Sequence, residues 1–243
     1  MKESGQVSAE NMDAMTIGAV VAGDYRAAGV FEKYGIDFCC GGNVAVATAC
    51  REKGIDLEEL HREIEKAVDQ PMDRSQNYCT WELPFLADYI VNTHHAYLKE
   101  NTEVIASYAR KIAQVHGAHH PEVIKIAAIF DRIATDMKLH LRDEEELLFP
   151  VIRKLAALEK AGAAHEDSDI EVLRAKLDSL SHEHDDIGAA IHDIRRLAED
   201  YLIPEGVCNT FMVTYQKLKE FEDDLHKHVH LENNILFLKA AKL

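Results

Sequence analysis

Basic residues are scarce in this chain: 27 Lys and Arg stand against 43 Asp and Glu, a formal net charge of −16 over 243 residues. That balance excludes polyanionic partners, so neither nucleic acid nor an anionic membrane face is expected. Long apolar runs are missing too, and none approaches the length that spans a bilayer. The first residues lack the basic-then-apolar order of a secretory leader. Cysteines number five, odd, with Cys39 and Cys40 adjacent, which does not suit a secreted disulfide framework. A cytoplasmic protein is therefore expected. Strand-length alternations are few, and Asn-Gly or Asp-Gly hairpin turns are absent. There is no phosphate loop, nucleotide fingerprint or conventional nucleophile, so an ordinary enzyme is not expected. What is plentiful is apolar residue, 47%, enough for a proper core, and histidine, of which there are 14.

The few glycines and prolines cluster between periodic segments. Residues 1–70 read as a small helical domain: short helices within Thr16–Tyr34, a helix capped by Asn43 and running through Glu52, and another from Leu57 to Val68 capped by Asp56. A polar stretch at 71–80, with Pro71, Asp73, Arg74, Ser75, Gln76 and Asn77, reads as a linker. Residues 81–243 read as four long helices. Their breaks fall at His116–Pro121, around Ala161–Ser168 and at Ile203–Val207. The expected fold is all-α, an up-down-up-down four-helix bundle behind a small helical domain.

One pattern occurs twice. His140 and Glu144 are spaced H-x3-E, as are His228 and Glu232. Residues i and i+4 share a helix face, so an imidazole and a carboxylate so placed can grip one ion or two. A single such pair is a common surface motif. Here both lie within apolar stripes: Ile126, Ile129, Ile133, Met137, His140, Glu144, Leu147, Val151 on one helix, and Leu218, Phe221, Leu225, His228, Glu232, Ile235 on the other. A carboxylate in an apolar face needs a cation, and its neighbours offer imidazole, not Lys or Arg.

The other two helices each place a histidine in their stripe. His184 falls on Leu177, Leu180, His184, Ile187, Ile191 and Ile194, and His94 extends Leu86 and Ile90 towards Tyr97. Residues at one level of an up-down bundle are equidistant from the turn between them. The midpoints of His94/His140, His140/His184 and His184/His228 are residues 117, 162 and 206, and all three are glycine in an expected loop. The expected site is thus His94, His140, Glu144, His184, His228 and Glu232. Four imidazoles and two bridging-capable carboxylates suit a pair of iron or manganese ions better than one zinc. His116 should sit at the far end of the bundle. His226 and His230, each two residues from His228, should face solvent.

The segments YGIDFCCGGN, THH at 93–95, VHGAHHPE, HLRDEEELLFP, SHEHDDIG and HVHLENNILF together resemble the Repair of Iron Centres family, over nearly the full length. The resemblance implies a hemerythrin-like bundle holding two non-haem iron ions on the same six residues, with Glu144, Glu232 and an oxo or hydroxo group as bridges. It implies a stress-response protein that helps repair damaged iron–sulfur clusters by supplying iron, with damaged iron–sulfur proteins as clients. Two rivals stay open: reduction of nitric oxide at the di-iron centre, and a hemerythrin-like sensor or carrier of O2 or NO. A homodimer is compatible with any of them. Cys39 and Cys40 precede an expected helix, where thiol pKa falls. The resemblance implies a thiol site there for iron, nitric oxide or redox exchange, whereas tight-turn packing is the plainer reading. Cys50, Cys79 and Cys208 read as structural.

Overall fold

The computed structural model describes residue 12, residues 14–69 and residues 77–243. Most of the stretch expected as a linker, 71–76, lies outside the described residues. Among the described residues the chain is all-helical, and extended pairing is limited to one isolated antiparallel bridge between Thr16 and Ala45. The chain divides into two compact units, Met1–Glu82 with Val229–Lys239, and Leu83–His228 with Ala240–Leu243.

The first unit is built from short helices whose limits are set by local chemistry. Helix α1, Ile17–Gly23, starts where the Thr16 hydroxyl accepts the Ala19 amide at 3.2 Å. Helix α2 is Ala27–Lys33. Helix α3 runs Val46–Lys53 and stops at Gly54, whose φ of 68° is left-handed. Helix α4, Leu57–Val68, is capped by Asp56, which accepts the amides of Glu58 and Glu59, as the sequence suggests. Asn43 is not a cap: Gly41–Asn43 closes its own 3-10 turn, and α3 begins three residues later at Val46. The segment Val229–Lys239 belongs to this unit. There the Asn234 amide donates to the carbonyls of Phe38 and Cys39, both at 3.2 Å.

The second unit holds the long helices. Helix α5 runs Leu83–Ile90, through a π turn at Val91–His95, into Ala96–His116. Helix α6 runs Glu122–Asp143, through a π turn at Glu144–Leu148, into Phe149–Lys160. Helix α7 is Asp167–Leu197. Helix α8 runs Asn209–Leu231, through a π turn at Glu232–Leu236, into Phe237–Ala240, with its Val229–Lys239 stretch counted in the first unit. Short connections make consecutive helices antiparallel. Gly117 caps α5, and Gly162 and Gly206 take left-handed φ of 65° and 78° in the next two connections. The inner faces pack Ile105, Ile112, Ile126, Phe130, Ile187, Ile194 and Phe221, all buried, and the rings of Phe130 and Phe221 meet at 5.0 Å.

The three π turns explain where stripe reading goes astray. A π turn takes one residue more than an α turn, so the inward face moves on by one position. In α6 the expected stripe residues Leu147 and Val151 are displaced: Leu147 is exposed, while Leu148, Phe149 and Ile152 are buried. The local cause is legible in retrospect. Pro150 has no amide to give to Glu146, and a widened turn before it removes that mismatch. In α5 the Asn92 side chain donates to the Asp88 carbonyl at 2.7 Å, competing with the regular ladder.

Candidate metal centre

Each π turn carries a residue of the candidate site. Glu144 and Glu232 open theirs, and the first contains both His94 and His95. In the second unit two groups of buried side chains have ligand atoms all within 4.8 Å of one another: His95, Glu144 and His228, and His140, Glu144 and His184. The groups share Glu144, and each adds two imidazoles; Glu232, also fully buried, follows His228 by four residues in α8. Within the second unit, the Nε2 atoms of His95 and His228 face each other at 3.1 Å, and those of His140 and His184 at 3.0 Å. Glu144 lies between them, with its Oε2 3.4 Å from His95 Nε2 and from His140 Nε2, and its Oε1 3.9 Å from His184 Nε2.

The expectation for His94 is corrected. It is buried, but it stands outside both groups: its Nδ1 meets Asp224 at 2.9 Å and its ring stacks on His228 at 5.8 Å between centroids. His95 occupies the place expected of it, because the π turn shifts the inward face by one residue. A signal was present in the sequence. Walking backwards from Ile112 through Ala109, Ile105, Thr102 and Leu98, all buried, the face reaches His95.

The site has an outer ring that sequence reading missed. His95 Nδ1 meets Glu145 at 2.8 Å, and His140 Nδ1 meets Glu183 at 2.9 Å. A carboxylate only accepts, so each Nδ1 donates and each Nε2 turns its lone pair inward. Burial works to raise the Glu145 pKa, but Lys99, at 2.6 and 2.7 Å, and His95 outweigh it and hold the carboxyl below its usual range. The hydrogen bond to His140 lowers Glu183 likewise. Glu145 sits in DEEELLF beside Glu144, and Glu183 in SHEH beside His184, so both were adjacent to residues already singled out.

This arrangement fits bound metal. Glu144 has no exposed surface, and neither of its oxygens makes a hydrogen bond of normal geometry, although three imidazoles surround it. An ionised carboxylate so placed costs several kcal/mol without a compensating charge. Nitrogen lone pairs about 3 Å apart also call for a cation or a proton between them.

The remaining histidines divide. His116 lies at the end of α5, outside both groups, as expected. His226 and His230 do not face solvent. His226 is buried 3.7 Å from Glu222 and beside the His192 ring. His230 has no exposed surface and lies against Tyr25 and Phe38; burial pushes its pKa down to about 3. The physical reason is that α8 from Leu225 to Phe237 is covered nearly all round, so no polar face remains.

The vicinal cysteines are also corrected in one respect. Asp37 Oδ1 accepts the amides of Cys39 and Cys40 at 2.9 and 3.1 Å and the Cys39 thiol at 3.2 Å. The amides that would favour a thiolate are thus already taken by a carboxylate. The contact with Cys40, then burial, pushes the Cys39 thiol well above its ordinary pKa. The sulfurs are 3.7 Å apart, unbonded, and with Asp37 form a further group able to hold a metal.

The chain is similar to known proteins over both of its parts. The family described as "Hemerythrin HHE cation binding domain" matches residues 86–240, and that described as "Domain of Unknown function (DUF542)" matches residues 13–68. The chain is 34% identical over 214 residues to the iron-sulfur cluster repair protein ScdA of Staphylococcus haemolyticus, covering 88% of this chain and 92% of that one. It is 32% identical over 224 residues to the iron-sulfur cluster repair protein YtfE of Pectobacterium atrosepticum, covering 89% and 92%.

Proposed function

This chain belongs to the Repair of Iron Centres family of hemerythrin-like proteins, and we propose on that premise that it restores damaged iron–sulfur clusters, with a pair of irons as its cargo. His95 and His228 would hold one ion, His140 and His184 the other, and Glu144 and Glu232 would be shared. The observation that carries the reading is Glu144: a fully buried carboxylate amid three imidazoles, with no hydrogen bond of its own.

Two imidazoles and shared carboxylates would leave each ion with open positions, which would favour release over storage. Glu145 and Glu183 hold His95 and His140 in the tautomer that keeps Nε2 inward, so the site stands ready to be refilled. Cys39, Cys40 and Asp37 would form a second, thiol-based site exchanging iron or nitric oxide. Clients are damaged iron–sulfur proteins, and the setting is cytoplasmic. No helix among the described residues is long and apolar enough to cross a membrane.

The test adds the full chain, loaded with isotopically labelled iron, to an iron–sulfur enzyme damaged by nitric oxide. Recovered activity with labelled iron in the client is the expected result. Recovery without the label removes iron donation, and no recovery removes the repair role. Nitrous oxide evolved by the reduced protein alone would favour reduction of nitric oxide instead.

A further inference from the structure

The motif VHGAHHPE supplies no residue to either metal group, yet it builds a defined cluster of its own. Helix α5 ends at His116, and the chain turns back at once: the amides of His119 and His120 bond the His116 carbonyl at 2.9 and 2.8 Å. That tight turn brings the rings of His116 and His120 within 6.3 Å, and both meet Phe211 edge-on, at 5.4 and 5.3 Å. Phe211 lies in the first turn of α8, and the residue just before that helix is Cys208. Its Sγ is exposed and lies 3.1 Å from His116 Nε2.

We propose that Cys208 is a nucleophilic thiol that exchanges with small disulfides of the glutathione type, with His116 as its base. Two geometric features support this. The imidazole takes the thiol proton, and the sulfur lies at the start of α8 beside the Thr210 and Phe211 amides, the latter bonded to the Cys208 carbonyl at 3.0 Å, where the helix N-terminus favours negative charge. His116 first, then those amides, draw the Cys208 pKa down to about 7. The other ionisable groups at this turn are His119, His120 and Glu122. His120 Nδ1 holds Glu122 at 3.1 Å, so that carboxylate is engaged by a different imidazole. The remaining thiols differ: Cys50 and Cys39 are buried, Cys40 is half-buried with its sulfur 3.7 Å from that of Cys39, and exposed Cys79 donates to the Ala22 carbonyl at 3.1 Å, with burial raising its pKa.

In the exchange, the Cys208 thiolate attacks one sulfur of the small disulfide. A new S–S bond forms as the old one breaks, and the departing sulfur leaves with the electron pair. The proton held by His116 passes to that leaving thiolate, so one thiol and one disulfide give a mixed disulfide and a new thiol. Cys208 is oxidised and the departing sulfur reduced, with no further reactant needed. A thiol whose pKa lies near ambient pH is the best attacker for such exchange. At about 1.5 Å per residue, His116 lies roughly 30 Å along α5 from His95. The exchange therefore proceeds independently of the iron.

The experiment treats the full chain with oxidised glutathione at pH 7 and follows the Cys208 and Cys79 peptides by mass spectrometry. Cys208 should gain the glutathione mass about tenfold faster than Cys79, since an ordinary thiol is only a few per cent ionised there. The pH profile of Cys208 alkylation by iodoacetamide should have its midpoint near 7, and in His116→Ala it should move up towards the ordinary ~8.5. His116→Gln serves if the alanine variant does not fold. Equal rates at the two cysteines would overturn the proposal, as would a profile unchanged by either folded variant. The iron content of Cys208→Ser should equal that of the unaltered chain.

Discussion

His95 Nε2 lies 3.1 Å from His228 Nε2 across 133 residues of sequence, while the adjacent His94 turns its Nδ1 to Asp224. Two neighbouring histidines are thus both buried but serve different ends. His95→Ala should lose most of one iron per chain by elemental analysis. His94→Ala should keep both irons and instead lose about 1–3 kcal/mol of stability in denaturant unfolding, the cost of a broken buried hydrogen bond. The opposite pattern, with iron lost only from His94→Ala, would return His94 to the site.

Much of this centre can be read from the sequence, and the part that cannot has one cause. His140, Glu144, His184, His228 and Glu232 were reachable because each stripe between loop and ligand keeps the α period, and because helix length is conserved between one turn glycine and the next. The error at His94, and the misplaced Leu147, both follow from π turns, which no fixed 3.6-residue walk contains. Pro150 hinted at one of them; Asn92 at another. Burial of His226 and His230 was illegible for a different reason: it depends on helices remote in sequence covering the end of α8, and a local pattern carries no trace of that. The contact between Cys208 and His116 was equally out of reach, since the two are 92 residues apart.

The outer carboxylates should matter to affinity more than to fold. Glu145→Gln and Glu183→Gln each keep an acceptor opposite the imidazole Nδ1 but remove the negative charge. Iron affinity should fall about 10–100-fold for each, measured by competition with a chelator. Circular dichroism should be unchanged. Affinity equal to that of the unaltered chain would mean that neither imidazole is oriented by its carboxylate.

Gly42 and Asn234 are coupled by close approach. A Cβ on Gly42 would lie 2.5 Å from Asn234 Oδ1, nearer than real Cβ atoms come, and all three of its nearest contacts are Asn234 side-chain atoms. Gly42→Ala alone should destabilise the protein. Asn234→Ala alone should lose about 1–2 kcal/mol with its two bonds to the Phe38 and Cys39 carbonyls. Together they should cost less than their sum, because removing the Asn234 side chain empties the space the new methyl needs. Additive losses in urea unfolding would show that the glycine is required for another reason.

Glu144 offers the sharpest contrast, because its effect on stability should reverse sign with the metal. In chelator-treated protein it is a buried carboxylate without a hydrogen bond, so replacing it by a leucine of similar volume removes a desolvation cost and leaves apolar contacts. Glu144→Leu should then be more stable than the unaltered apo-protein by about 1–4 kcal/mol, which is several degrees in melting temperature for a chain of this size. In iron-loaded samples the order should invert, since on the proposed reading the variant would lose a metal ligand and with it the stabilisation that bound metal gives the folded state. If the apo-variant melts lower, the three imidazoles around Glu144 carry enough positive charge to satisfy it unaided. The cluster would then be a buried ion-pair network, and the inference from its geometry to metal would fail.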